Sequence, residues 1–231
     1  MITLTDKEFA TLTQFIKEQY GINLTKKRVL IEGRLSNLLR ERGIKSFSEY
    51  MDIVFKDTTG IEVNTMLNKL TTNHTFFMRE VEHFEYMKSH ILPYLAATRA
   101  RTKDLRIWSA GCSTGQEPYN IAMILDEFFG SEKPMWDTTI LATDLSVKAL
   151  EKAKLAVYPA DSLEDMPPEW VKKYFIQRPD NTVQVNEKIR REVAFRHFNL
   201  MDSFVYKQPF DLIFCRNVMI YFDAPTKAAV V

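Results

Sequence analysis

The chain has 231 residues, 45% of them hydrophobic, enough for one large domain or two smaller ones without disulfide or metal staples. Its 31 basic and 30 acidic side chains nearly cancel, which excludes recognition of nucleic acid or of an anionic membrane through an overall field and leaves only local charge. Cys112 and Cys215, far apart and in no C-x-x-C pair, exclude a disulfide scaffold and read as small apolar fillers; with no signal-peptide pattern in MITLTDKEFATLTQF and no run of about 18 apolar residues, a cytoplasmic protein that does not insert into the membrane is expected.

The first hundred residues predict helices. Thr5 with Glu8, and Ser46 with Glu49, have the spacing of capping boxes, and Gly21 and Gly43 stand where helix ends want a left-handed residue. Between them Ile31, Leu35, Leu38 and Leu39 fall on one helical face and Lys26, Arg34, Asn37 and Arg40 on the other. That basic face is either a solvated surface or a docking surface for an acidic partner. Further helices are expected at 61–70 and from 80 to about 95, followed by a polar crossing over 98–104 where the domain boundary is placed. A helical domain over 1–98 and a second domain over 99–231 result. In TTNHTFFMRE, residues 71–80, Asn73, Thr75 and Arg79 surround two phenylalanines; the segment reads either as a capped helix start with a surface arginine or as a grip for a carboxylate.

Beyond the crossing, apolar strands at 105–110, 139–143, 193–198 and 211–215, several of them separated by helical segments, predict a doubly wound α/β sheet of mostly parallel strands. The segment 174–195 breaks that rhythm with short alternating pieces around Pro-Asp-Asn, so an antiparallel insertion is expected there, projecting from the main sheet and able to accept an added strand.

The stretch IWSAGCSTGQEPYNIAMIL, 107–125, runs from a strand through a small-residue turn into a helix. Gly111 and Gly115 permit positive φ or close approach, Pro118 suits the first helical turn, and free backbone amides are expected there to face an anionic or polar ligand. A tight structural turn is the alternative. Asp144, ending the second strand in LATDLS, suits either a ribose diol or the cap of the next helix. FRHFNL brings Asn199 and Leu200, and FCRNVMIYF brings Arg216, Asn217, Val218 and Tyr221, to the same sheet edge, where the asparagines either read a cofactor or serve ordinary turns.

TTNHTFFMRE, the glycine turn, LATDLS and FDLIFCRNVMIYF, in this order and approximate spacing, resemble the chemotaxis receptor glutamate methyltransferases, the CheR-type family, over essentially the whole chain. The resemblance implies a class I methyltransferase fold, S-adenosylmethionine as cofactor, and glutamate side chains on the cytoplasmic domain of methyl-accepting chemoreceptors as acceptors. It implies cofactor contacts from Asn73, Thr75, Arg79, Gly111, Glu117, Asp144, Asn199, Leu200, Asn217 and Val218; in-line transfer to a carboxylate favours one arginine and a phenol, Arg79 and Tyr221, at the chemistry, and His74, His83, His90 and His197 show no ligand pattern, so no metal is assigned. Lys26, Arg34 and Arg40 become candidates for receptor docking. The competing readings are a nicotinamide oxidoreductase, which shares the glycine turn and the acid, and a non-catalytic adaptor on the same fold. Because the fold it resembles continues with further strands, 211–215 is expected to stand as an apolar edge, giving a chain that self-associates and binds cofactor weakly, whereas an extended version is expected to be monomeric.

Overall fold

The computed structural model describes residues 2–71, 73–204, 206 and 208–230. Two compact units emerge: Met1–Thr72 with Asn199–Phe204 and Asn217–Val231, and Asn73–Phe198 with Val205–Arg216. The division falls at residue 72, ahead of the 98–104 crossing where the sequence places it. The helical stretch before that crossing belongs to the sheet's core: Phe84 stacks on Phe214 at 5.8 Å, and Met87, Leu92 and Leu95 join the same buried cluster as the strands.

In the helical unit, α1 (Asp6–Tyr20), α2 (Arg28–Glu41), α3 (Phe47–Phe55) and α4 (Ile61–Leu70) follow one another. Thr5 and Glu8 close a full capping box on α1, and the other Glu8 oxygen takes the amide and hydroxyl of Ser48 at 2.8 and 2.7 Å, tying α1 to α3. Ser46 forms only half of its box, because Glu49 returns to the amide of Lys45 at 2.9 Å. Gly21 ends α1 at φ 71°, where a side chain would meet the Met201 sulfur at 2.8 Å. The four expected apolar residues of α2 are all buried. Asp57 caps α4, accepting the Glu62 amide at 2.7 Å and the Thr59 hydroxyl at 2.6 Å.

In the sheet unit, α5 (Val81–Tyr86) runs through one π-helical segment (Met87–Ile91) into α6 (Leu92–Thr98). Then come β1 (Ile107–Ala110), α7 (Gln116–Phe129), β2 (Ile140–Asp144), α8 (Val147–Leu155), β3 (Val157–Pro159), α9 (Pro168–Tyr174), β4 (Phe175–Gln177), β5 (Thr182–Val185), α10 (Glu187–Arg190), β6 (Val193–His197) and β7 (Leu212–Phe214). The main sheet is parallel, in the order β6-β2-β1-β7, with Ile107 opposite Ile140 and Asp144 opposite His197. Strand order reverses at β1, whose four residues are all buried. At the edge of these four strands, β7 leaves Ile213 51% exposed.

The antiparallel sheet has the order β3-β5-β4 and spans 157–185 rather than 174–195. Val193–His197 pairs with β2 instead, since its apolar alternation fills the main sheet, while Val157–Pro159 is recruited by the pairing of Tyr158 with Val183. The hairpin over Pro-Asp-Asn is as expected, with Asn181 left-handed at φ 57°.

Candidate functional site

Where β1 ends, the amides of Gly111 and Cys112 both donate to the Thr143 carbonyl at 2.8 Å, and the Ser113 amide donates to Asp144 Oδ2 at 2.7 Å. These three amides therefore close the turn onto β2; they lie ahead of the start of α7, where the sequence places the free amides. Gly115, at φ 96°, is required by close approach: an added Cβ would lie 2.9 Å from that of Ala153 on α8 and 3.1 Å from the Tyr158 hydroxyl. Gly111 is also left-handed, at φ 79°.

Asp144 does not cap α8. Ser146 does, accepting the Ala149 amide at 3.0 Å, while Asp144 Oδ1 accepts the Ser146 amide at 2.7 Å. The two Asp144 oxygens thus hold these amides, with the Leu145 amide a further donor, and the carboxylate's four lone-pair sites leave room for a ligand hydroxyl. Burial raises its pKa above the ordinary carboxylate range, opposed by the Ser146 and Ser113 amides.

The Asn73–Glu80 segment joins this turn. The Ser113 hydroxyl donates to the Asn73 backbone carbonyl at 3.0 Å, and Asn73 Nδ2 donates to Ser146 Oγ at 3.5 Å. Phe77 is buried edge-on against Tyr158 and Phe175, 5.0 and 5.3 Å between centroids, so the antiparallel sheet pins the segment. Thr75 is half-buried. Arg79 sits between two left-handed residues, Met78 at φ 58° and Glu80 at φ 54°, and donates to the His74 carbonyl at 2.7 Å. Backbone of this kind in bulky residues persists only where surrounding contacts enforce it.

On the first turn of α7, Glu117 accepts the Ser109 hydroxyl at 2.7 Å and faces Arg216 at 3.2 Å. Burial raises its pKa, with Ser109 and Arg216 pulling it back. Arg216 also lies 3.2 Å from Glu80 Oε2 and donates to the Arg79 carbonyl. Asn73, Thr75, Arg79, Gly111, Glu117 and Asp144 therefore all belong to one unit: the first three to the segment before α5, Gly111 to the turn after β1, Glu117 to the first turn of α7, and Asp144 to the end of β2.

The all-alpha domain of CheR methyltransferases matches residues 7–71, and the SAM binding domain of CheR methyltransferases matches residues 73–231. The chain belongs to the CheR methyltransferase family. It is 43% identical over 230 residues to the chemotaxis protein methyltransferase of Borreliella burgdorferi, covering 98% of this chain and 81% of that protein. It is also 35% identical over 231 residues to the Escherichia coli protein of the same description, covering 98% and 78%. Chemotaxis protein methyltransferase 1 of Pseudomonas aeruginosa is 35% identical over 232 residues, covering 98% and 83%. The division between the two family domains coincides with the structural break at residue 72.

The remaining CheR-motif residues lie in the helical unit. Asn199 donates to the Gln19 carbonyl of α1 at 2.8 Å and accepts the Met201 amide at 3.1 Å, the work of a turn asparagine. Leu200 is half-buried, and Asn217 is left-handed at φ 59°. Val218 opens a short 3-10 turn whose Tyr221 carbonyl accepts the Asn23 amide at 2.9 Å. Of the basic face, Lys26 and Arg40 are exposed, and Lys26 lines a recess with Phe9, Thr25, Lys27, Arg28 and Val29. Arg34 is half-buried, and its Nη1 caps α4 by donating to the carbonyls of Lys69, Leu70 and Thr71 at 3.1–3.2 Å.

Sequence reasoning passed over Ser109, Ser113 and Ser146, and noted Arg216 without a role. A signal for Arg216 was present: a carboxylate buried in a first helical turn needs a cation, and FCRN supplies one directly after a strand. The serines carry no such mark, since only the fold reveals which amides and carboxylates they meet.

Proposed function

We propose that the chain transfers a methyl group from S-adenosylmethionine to glutamate carboxylates in the cytoplasmic domain of chemoreceptors, forming methyl esters. The observation that carries this reading is the pair Asp144 and Glu117. Each is an ionisable carboxylate held by named donors, Asp144 at the end of β2 and suited to a ribose diol, Glu117 on the first turn of α7 and suited to an ammonium group. The donor set thus fits the cofactor that the SAM binding family domain names. The chemotactic role is supported by what the relatives are called.

When bound, S-adenosylmethionine supplies an electrophilic methyl group at a sulfonium. A glutamate acceptor is already ionised at neutral pH, so no general base has to be placed. The protein's task is to orient the acceptor and exclude water. Arg79, restrained at its backbone and by the His74 carbonyl, is suited to aim a carboxylate, whether the cofactor's or the acceptor's. The roles given to Asn199, Leu200, Asn217, Val218 and Tyr221 rest on FRHFNL and FCRNVMIYF. Lys26 and Arg40 are proposed to meet an acidic strip on the receptor, and the edge of the β3-β5-β4 sheet to accept a receptor tail as an added strand. Deleting that sheet would also remove the Tyr158 and Phe175 contacts of Phe77, so Ile176→Lys, at a residue 54% exposed on β4, tests the edge more cleanly.

Calorimetric titration with S-adenosylhomocysteine tests the cofactor reading, and transfer of labelled methyl to a receptor cytoplasmic domain tests the acceptor. Saturable binding and a label released as methanol by mild alkali are expected. No binding would remove the cofactor reading; an alkali-stable label would keep methyl transfer and remove the carboxylate as acceptor.

A further inference from the structure

We infer that Arg216 is a positioning residue for the amino-acid end of the cofactor, one guanidinium that fixes the Glu117 carboxylate and the Arg79–Glu80 backbone together. This rests on the S-adenosylmethionine reading above. Two residues past β7, Arg216 has a side chain only 12% exposed. Its Nη1 is 3.2 Å from Glu117 Oε2; its Nη2 is 3.2 Å from Glu80 Oε2 and donates to the Arg79 carbonyl; and its Cζ lies 4.9 Å from the Phe84 ring centroid.

A planar fork with several donors in fixed directions can serve acceptors from two chain segments at once, whereas an ammonium group on a flexible stem cannot hold both to one geometry. The Arg79 carbonyl belongs to the link between left-handed Met78 and Glu80, a backbone that needs an external restraint to persist. Glu117 has the complementary need. Ser109 supports one oxygen, Glu80 lies near enough to repel it, the thiols of Cys112 and Cys215 are titratable neighbours, and Arg216 is the cation that favours its charged form. Removing Arg216 would leave a buried carboxylate beside a like charge and would take one donor from the Arg79 carbonyl. An ammonium group would then meet an acceptor whose charged form has lost its cation, and the Arg79 carbonyl would lose the guanidinium bond.

The full chain, Arg216→Met and Arg216→Lys are to be titrated by calorimetry between about pH 5 and 8, across the rise of a raised carboxylate. The two probes are S-adenosylhomocysteine and 5′-methylthioadenosine, which keeps the adenosine and sulfur but lacks the amino-acid group. For Arg216→Met, S-adenosylhomocysteine affinity is expected to fall about tenfold or more while methylthioadenosine stays within about twofold. The acid limb of S-adenosylhomocysteine binding should also move to higher pH. Arg216→Lys should hold that limb near its original position, because a cation there still favours the charged form of Glu117, yet still lose affinity because the fork is gone. Equal losses for both probes, or none for either, would overturn the inference. Failure of the unsubstituted chain to bind S-adenosylhomocysteine is a different result, which removes the cofactor reading on which the inference stands.

Discussion

Two pairs of carboxylates, one pair in each unit, are used in opposite ways. In the helical unit Glu8 and Asp57 accept hydrogen bonds at helix starts; for Glu8 the donors Ser48 and Thr5 outweigh burial and bring its pKa down to about 2, and Asp57, led by the Thr59 hydroxyl, also falls to about 2. In the sheet unit Asp144 and Glu117 accept comparable hydrogen bonds, yet burial wins and both rise. A carboxylate at the surface strengthens the helix it caps. One withdrawn from water, as Asp144 is at the end of β2 and Glu117 on the first turn of α7, has its charged form disfavoured by burial, and carboxylates of that kind gather where a ligand supplies further contacts. Stability elements and recognition elements are separable on that ground, and substitutions can break or sharpen the distinction.

The largest effect is expected at the turn beneath the recognition residues. Gly115→Ala must adopt φ 96° and place a Cβ 2.9 Å from Ala153, whereas Gly43→Ala in the helical unit needs φ 70° with nothing within 4 Å. Urea unfolding should show a loss of about 2–4 kcal/mol at Gly115, strain plus overpacking, against about 1–2 kcal/mol at Gly43 for strain alone. Equal losses would mean that α8 yields and that close approach is not what the glycine serves.

Asp144→Ala comes next. It should weaken S-adenosylhomocysteine binding by about 1–3 kcal/mol, the cost of removing a charged acceptor from a polar ligand group. Because Asp144 and Glu117 both have raised pKa values, affinity for the unsubstituted chain should fall as pH drops through those raised values, above the range in which ordinary carboxylates protonate. Unchanged affinity with reduced stability would assign Asp144 to the turn alone.

Much of this contrast could be read before any fold was known, and the exceptions are instructive. Capping and amphipathic spacing are local, so α1, the buried face of α2 and the span of α4 follow directly from residue order. The parallel strands followed from apolar runs, and Asp144 from its place after one. What could not be read was set by partners distant in sequence: Phe84 on Phe214 moved the unit boundary to residue 72, and three-residue strands such as Val157–Pro159 are too short to carry a pattern. Arg34 shows the same limit. Helical spacing placed it on the polar face, and only the end of α4 packed beside it turned a docking candidate into a cap.

That difference within one basic face predicts a smaller effect. Arg34→Ala should cost about 1 kcal/mol in unfolding, discounted for partial exposure, because three carbonyls at the end of α4 lose their donor. Arg40→Glu, at an exposed residue bonded to Asn37 Oδ1 at 2.9 Å, should leave stability within about 0.5 kcal/mol and slow receptor methylation at low salt. A slower reaction from Arg34→Ala alone, at unchanged stability, would return Arg34 to the docking surface.

The smallest effect is the most direct reading of the two kinds of carboxylate. The folded pKa of Glu8, about 2, lies below its ordinary 4.5, so its contribution is present above pH 4.5 and is lost as pH falls through about 2. Asp144 and Glu117 run the other way. Their folded values lie above the unfolded ones, so what they contribute is present below the ordinary carboxylate range and is lost as pH rises through the raised values. Substituting Glu8→Gln keeps a side chain that can accept one hydrogen bond from Thr5 or Ser48 but removes the charge that strengthens both. At neutral pH the loss should be a few tenths of a kcal/mol, as for an exposed capping pair. On acidification toward the value at which Glu8 itself protonates, the two proteins should converge, since the native chain gives up the charge that the variant never had. Urea midpoints for both chains across that range decide it. A constant offset at every pH would show that the shape of the capping group, and not its ionisation, is what Glu8 supplies to α1 and α3.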